Sequence, residues 1–278
     1  MSRWIGLGIA SGVKTTNYPR HPSAATGSAS AIAARLGQLD SSQALAAAEL
    51  CPTSALKAQG NLDSGSIEFD AGKCVMCGRC TRTYPEAFKL VRRPEVAVVS
   101  RSQLTSRASW AQGATQVQKD VARLVETVRD RSQRVFAHSL HIRHVDAGSC
   151  NGCESELQML STPHYDLSRL GFFFTPTPRH ADALLVTGVV TRQMEGALLR
   201  TYEAMPHPKV VIAAGVCAVG GGCFTGSAMN RGPLDRVLPV DVYVPGCPPT
   251  PLALLHGLLL AVGRAEIRYL GGEGGDGD

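Results

Sequence analysis

The chain has 278 residues, 44% hydrophobic, 18% charged and 5% aromatic, a composition that supports a buried core and excludes wholesale disorder. The length suits one large domain or two modest ones. The net charge of +5 divides unevenly: residues 1–138 hold 18 Lys and Arg against 10 Asp and Glu, while residues 139–278 hold 10 against 13. That asymmetry fits two modules with different neighbours, and because the basic residues are scattered rather than striped, nucleic acid is not an expected partner.

In chain order, the opening MSRWIGLGIASG has neither a sustained apolar core nor a twin-Arg pair, which argues against export. Residues 1–30 read as an extended arm lying over a partner. Ala31–Leu50 is rich in Ala and Leu and predicts a helix ended by Pro52. Residues 51–100 predict a small β-rich segment with strands at Ile67–Phe69 and Val96–Val99. The apolar spacing of Val117, Val121, Leu124, Val125 and Val128 predicts an amphipathic helix over Gln116–Arg134, making 101–138 a helical linker. From residue 139 strand-like runs (His141–Val145, Leu170–Phe174, Ala183–Val190, Val210–Ala214, Val240–Val244) alternate with helix-like ones (Glu154–Leu160, Gln193–Ala204, Pro251–Val262). Such alternation marks an α/β domain with a mostly parallel sheet. Within it Leu252–Val262 is the longest apolar run at 11 residues, about half of the roughly 20 that a bilayer requires. Residues 271–278 read as a flexible acidic tail.

With no export signal, the nine cysteines are expected to be reduced and to favour metals over disulfides. Cys74, Cys77 and Cys80 stand at C-x2-C-x2-C spacing, which fans thiolates around one corner of a cubane cluster. In bacterial ferredoxins this run continues x3-C-P, and its fourth cysteine serves the other cluster. Here that place is Tyr84, followed by Pro85, while Cys51-Pro52 is the C-P end of an earlier copy whose first three cysteines would fall at Ser41, Ala44 and Ala47. All four ligands of one crossed site are thus missing, and all four of the other (Cys51, Cys74, Cys77, Cys80) are kept. The segment resembles a two-cluster ferredoxin with one site retired. A four-thiolate zinc site or plain buried cysteines are the competing accounts, although zinc usually pairs two C-x2-C knuckles and only one overlapping run is present.

The second cysteine group is Cys150, Cys153, Cys217 and Cys247, each placed after a predicted strand or a strand and short loop. In an open parallel sheet the carboxyl ends of the strands share one edge, so ligands distant in sequence can converge there. The pattern C-x-G-C, G-x-C-x-x-G-G and G-C-P-P-x-P resembles the small subunit of [NiFe] hydrogenases and its homologue in respiratory complex I, over roughly residues 140–265. The spacing Cys150-Asn-Gly-Cys153, where complex I subunits have adjacent cysteines, tilts the resemblance towards hydrogenases. No cysteine follows Cys247, which points to the energy-converting, formate hydrogenlyase type, without the added cysteine-rich domain of the soluble type. The fused ferredoxin-like half departs from that pattern, in which such a unit is normally a separate polypeptide.

The resemblance implies a flavodoxin-like α/β domain (139–270) carrying a 4Fe–4S cluster, preceded by a small α+β ferredoxin-like domain (31–100) carrying another. It implies an oxidoreductase subunit that relays electrons, with the catalytic centre in a partner: a hydrogenase large subunit or its complex I-like homologue. Membrane subunits of the same complex, and in some assemblies a further iron–sulfur subunit, complete the implied partners. The expected location is peripheral, on the cytoplasmic side of the cell membrane. A complex I-like module passing electrons to quinone without nickel is the alternative, and a non-redox zinc scaffold a third. Cys223 reads as a non-ligand and Gly220–Gly222 as a turn without the GK[ST] end of a phosphate loop. His138, His141 and His144 recur every third residue but in a strand-like context, while His164 and His180 read as ordinary polar residues. Glu154 and Glu156 fall at a predicted helix start, where carboxylates suit the helix dipole. Glu154 is a candidate for proton transfer towards a neighbouring active site.

Overall fold

The computed structural model describes residues 3–20, 29–111, 114–118 and 139–268, without side chains for 3–4 and 114–118. The predicted tail at 271–278, His138 and residues 119–134 of the predicted linker helix lie outside the described residues.

The first half is built on a β-α-β-β-α-β order: β1 (Ala31–Ala34), α2 (Ser41–Leu50), β2 (Leu56–Gly60), β3 (Ser64–Asp70), α3 (Arg79–Thr83) and β4 (Phe88–Val91), preceded by α1 (Arg3–Ser11). Strand β1 pairs antiparallel with β4, Ile32 opposite Leu90, and β2 with β3. Ile32, Ala44, Ala47, Phe69 and Phe88 are buried in this half, with the Phe69 and Phe88 rings edge to face at 6.2 Å. The helix expected over Ala31–Leu50 is thus split. Ala31–Ala34 is buried on both faces as a strand, tertiary packing overriding the helix preference of Ala. Asp40 then starts α2 as its N-cap, accepting the Gln43 N–H at 2.8 Å while the Gln43 side chain accepts the Asp40 N–H at 3.2 Å.

The linker also differs from expectation. Strands β5 (Thr105–Ala111) and β6 (Ala114–Gln118) extend the hairpin into a four-stranded antiparallel sheet, β2-β3-β5-β6. Residues 116–118 are therefore strand, not helix, because backbone pairing with Arg107–Ser109 of β5 outweighs the helical spacing of the side chains.

In the second half β7 (Leu140–Asp146), β8 (Phe172–Phe174), β9 (Ala183–Thr187), β10 (Val210–Ala214) and β11 (Val242–Val244) form a five-stranded parallel sheet in the order β11-β10-β9-β7-β8. This is the flavodoxin-like winding, with its switch point between β7 and β9. Its helices are α4 (Gly152–Met159), α5 (Arg192–Ala204), the short α6 (Gly215–Gly220) and α7 (Pro251–Ala261). Thr191 and Thr250 cap α5 and α7, and Pro251 stands in the first turn of α7.

Every residue of α7 is buried, which explains why it is apolar on all sides but for His256. At Gly257 it packs against both Val244 of the sheet and Ala97 of the first half. His256 accepts the Ala97 N–H on Nδ1 at 3.2 Å and meets the Glu266 carbonyl through Nε2 at 3.0 Å. The strand expected at Val96–Val99 is a single antiparallel bridge, Val98 to Tyr243, which covers the exposed edge of β11. The arm expected over a partner also lies on this chain itself: the Thr16 N–H reaches the His164 carbonyl at 2.7 Å, and Arg169 donates to the Thr16 and Tyr18 carbonyls at 2.6 and 2.7 Å.

Candidate functional site

The first cysteine quartet is assembled by the ends of α2 and α3 and the loop before α3. Cys51 is the C-cap of α2, ahead of Pro52. Asp70 closes a tight turn at Ala71–Lys73 by accepting the Gly72 N–H at 2.9 Å, and Cys74 follows directly. The loop then reverses through left-handed backbone at Met76 and Gly78, and the Met76 N–H donates to Cys74 Sγ at 3.4 Å. Cys80 stands in the first turn of α3. All four cysteines line one cleft, walled by Ile32, Ala47, Pro52 and Phe69.

The places of the absent cysteines are now structural. Ala44 and Ala47 are buried on α2, and Tyr84 is the C-cap of α3, packed against the core. Where a cluster loop would fan its thiolates, a capped helix fills the space with methyl groups.

The second quartet sits at the carboxyl edge of the parallel sheet. Asp146 at the end of β7 accepts the Gly148 and Ser149 N–H groups at 2.8 and 2.7 Å, setting the turn that presents Cys150. Cys153 is buried in the first turn of α4. Cys217 lies on α6 after β10, and Cys247 follows β11 and Gly246. Gly215 has φ +87°, and a Cβ there would come within 2.6 Å of Cys153 Sγ, so only glycine leaves room for the thiol.

In each quartet burial is the main electrostatic influence, and neighbouring thiols reinforce it. Burial pushes the Cys74 thiol up to about 12, with Cys80, Cys51 and Cys77 adding to the rise. Burial pushes Cys80 and Cys217 each up to about 11. Cys153 is raised above the ordinary thiol range by burial, then by Glu154 and by Cys217, Cys247 and Cys150. Thiols held protonated in this way must give up their protons to solvent as they bind a metal.

Four soft sulfur donors in a partly buried shell suit an iron–sulfur cluster, in which each thiolate serves its own iron. Among the described residues no three His, Cys, Asp or Glu side chains are grouped to grip a single metal ion.

Cys223 is exposed, near enough to Cys217 and Cys247 to raise both thiols. Gly221 and Gly222 have positive φ and form the expected turn. His141 and His144, three apart on β7, face opposite sides of the strand: His141 stacks on Phe173, while His144 bonds Thr187 Oγ1 at 2.8 Å. Thr187 in turn donates to Glu154 Oε1, whose Oε2 is buried without a hydrogen-bond partner among the described residues. His164 meets the Lys14 carbonyl through Nδ1 at 3.0 Å, and His180 ends a short turn at Pro178–His180. The His144–Thr187–Glu154 network was not foreseen; its only sequence signal is that His144 and Thr187 fall near the carboxyl ends of two strands that the winding makes neighbours.

A family model described as NADH ubiquinone oxidoreductase, 20 kDa subunit, matches residues 150–261. The probable membrane-bound hydrogenase subunit mbhJ of Pyrococcus furiosus is 48% identical over 146 residues, 52% of this chain and 83% of that protein. Formate hydrogenlyase subunit 7 of Escherichia coli is 46% identical over 128 residues, 46% of this chain and 50% of that protein. Among solved structures, a chain of the membrane-bound sulfane sulfur reductase, an archaeal respiratory membrane complex, is 34% identical over 51% of this chain and 77% of its own, with a TM-score of 0.41. The family typically binds an iron–sulfur cluster. With the second-half motifs lying in the matched region, the chain belongs to the 20 kDa subunit family shared by complex I and the energy-converting hydrogenases, and is an oxidoreductase subunit.

Proposed function

We propose that the chain is an electron-relay subunit of a membrane-associated [NiFe] hydrogenase or formate hydrogenlyase-like complex. It holds one 4Fe–4S cluster on Cys51, Cys74, Cys77 and Cys80 of the ferredoxin-like unit (31–100) and another on Cys150, Cys153, Cys217 and Cys247 of the α/β unit (139–270). The observation that carries this reading is the sorting of eight cysteines into two separate quartets, one on each unit. When bound, such a cluster accepts and returns single electrons, at a potential set by its shell.

The residues supply the rest. Cys150 and Cys247 are exposed and mark the sheet edge as the docking face for a catalytic large subunit. The buried Cys153 and half-buried Cys74 anchor the inner sides of their shells. No helix among the described residues is long and apolar enough to cross a membrane; the attachment proposed is peripheral, on the cytoplasmic side, through the membrane subunits that the relatives' complexes imply. A quinone-reducing, nickel-free complex is a second reading, favoured by the description of the matching family. The large subunit decides between them, since only the hydrogenase form carries two C-x2-C nickel-ligand pairs.

The test is iron, acid-labile sulfide and zinc per chain in anaerobically prepared protein, with EPR of the reduced sample. About eight iron and eight sulfide are expected. About four would leave one quartet empty, and comparing Cys51→Ser with Cys247→Ser would show which. Zinc without sulfide would overturn the relay.

A further inference from the structure

The two quartets meet through backbone. Gly72 stands two residues before Cys74, and Gly220 three residues after Cys217. A Cβ on Gly220 would lie 2.2 Å from the Gly72 carbonyl oxygen, so at this point the first-half turn and α6 touch main chain to main chain. Arg101 reaches across the contact. Its Nη2 donates to Asp70 Oδ2 at 2.6 Å and its Nε to the Val219 carbonyl at 3.2 Å. Asp70 is the residue that closes the Cys74 turn through its other oxygen. The guanidinium also lies on Gly72, where a Cβ would come within 2.7 Å of its central carbon.

Arg101 is itself held. Gln103 accepts the Val99 and Ser100 N–H groups at 3.1 and 3.0 Å, locking the short turn that starts with Arg101 next to the Val98–Tyr243 bridge. Side-chain exposure is 22% for Arg101 and 8% for Asp70, so this charge-assisted pair is shielded from solvent screening. One side chain therefore ties the turn of one quartet to the last carbonyls of the helix carrying the other.

We propose that Arg101 is a positioning residue that fixes the separation of the two quartets by clamping Asp70 to Val219 across the Gly72–Gly220 contact. The inference rests on the relay reading for its purpose, because electron tunnelling falls steeply with distance and follows packed, bonded paths best. Transfer between two cluster sites is a one-electron exchange, one group oxidised as the other is reduced. No bond or proton at Arg101 changes.

The test uses the full chain with Arg101→Met, which removes both hydrogen bonds, Arg101→Lys, which retains the charge, and Gly220→Ala, which wedges the contact with Arg101 intact. In metal-free protein, hydrogen exchange across 68–76 and 214–222 should quicken by about tenfold in Arg101→Met, and less in Arg101→Lys. In the loaded, fully reduced protein, magnetic coupling between the two centres should weaken in Arg101→Met and Gly220→Ala and be partly restored in Arg101→Lys. Exchange unchanged in Arg101→Met would overturn the clamp. Faster exchange with unaltered coupling would reduce Arg101 to ordinary stabilisation and overturn its positioning role. Wild-type protein that binds one cluster would instead overturn the relay, and the exchange measurement would still decide the clamp.

Discussion

The two cysteine quartets are assembled by opposite routes. In the first half three of four cysteines lie within seven residues, and a loop with two left-handed turns brings them together. In the second half the four come from three strand ends spread over 98 residues, Cys150 to Cys247, and only the parallel winding unites them. A site written in local spacing tolerates change elsewhere in its unit. One written in topology depends on the whole sheet and on the clearances where its turns meet.

The largest effects should come from the cysteines. Cys74→Ser and Cys217→Ser should each remove about four iron and four sulfide per chain, and EPR should show the other centre retained. Loss of both centres from either change would erase the distinction between a local and a distributed site. Glycine substitutions sharpen it. Gly215→Ala puts a methyl 2.6 Å from Cys153 Sγ at φ +87°, so it should empty the second quartet and cost about 1–3 kcal/mol. Gly78→Ala, at φ +72°, meets the tip of the long Arg82 side chain at 3.2 Å and Thr81 Oγ1 at an ordinary 3.6 Å; it should cost about 1–2 kcal/mol and keep its iron. Iron content and denaturant midpoints check both.

A pH effect tests how firmly the halves are joined. Burial pulls the His256 pKa down to about 4, so the folded chain keeps this imidazole neutral while the unfolded chain protonates it near its ordinary 6.5. Stability is then full above about pH 6.5 and falls as pH drops towards 4, by about 3 kcal/mol at the low end. His256→Leu should flatten that dependence while lowering stability at neutral pH, because the Ala97 N–H and Glu266 carbonyl lose their partner. Urea midpoints from pH 8 to 4 measure it. The smallest effect is expected around Ser41, Ala44, Ala47 and Tyr84: replacing all four with cysteine should add no iron, because Asp40 and Gln43 hold Ser41–Leu50 as a capped helix. Iron above about eight per chain would show that this segment can open to take a further cluster.

Much of this was legible in the sequence. The alternation after residue 139 read correctly because its central strands β9 and β10 are short, fully buried runs rich in Val, Leu and Ala, and the stretches that became α5 and α7 stand apart from them. Ala31–Ala34 misread as helix because alanine carries no mark of the strand that packs beside it. Gln116–Gln118 misread because Val117 fits helical and strand spacing equally well, and its partner β5 decides. The cysteines announced themselves by spacing and by the glycines around them. Arg101 did not: it is a lone cation in a loop, whose carboxylate lies 31 residues earlier and whose carbonyl lies 118 later.

The buried helix α7 carries a consequence for how the protein is made. The Ala97 N–H waits for His256, 159 residues downstream. At about 5–20 residues per second, the ribosome needs roughly ten to thirty seconds to deliver it. Throughout that interval Val96–Val99 emerges without its cover, an apolar segment open to chaperones or to another nascent chain. The four cysteines of the first quartet are translated before that wait begins, whereas Arg101, strand β5 and the Val219 carbonyl that brace the Cys74 turn follow during it.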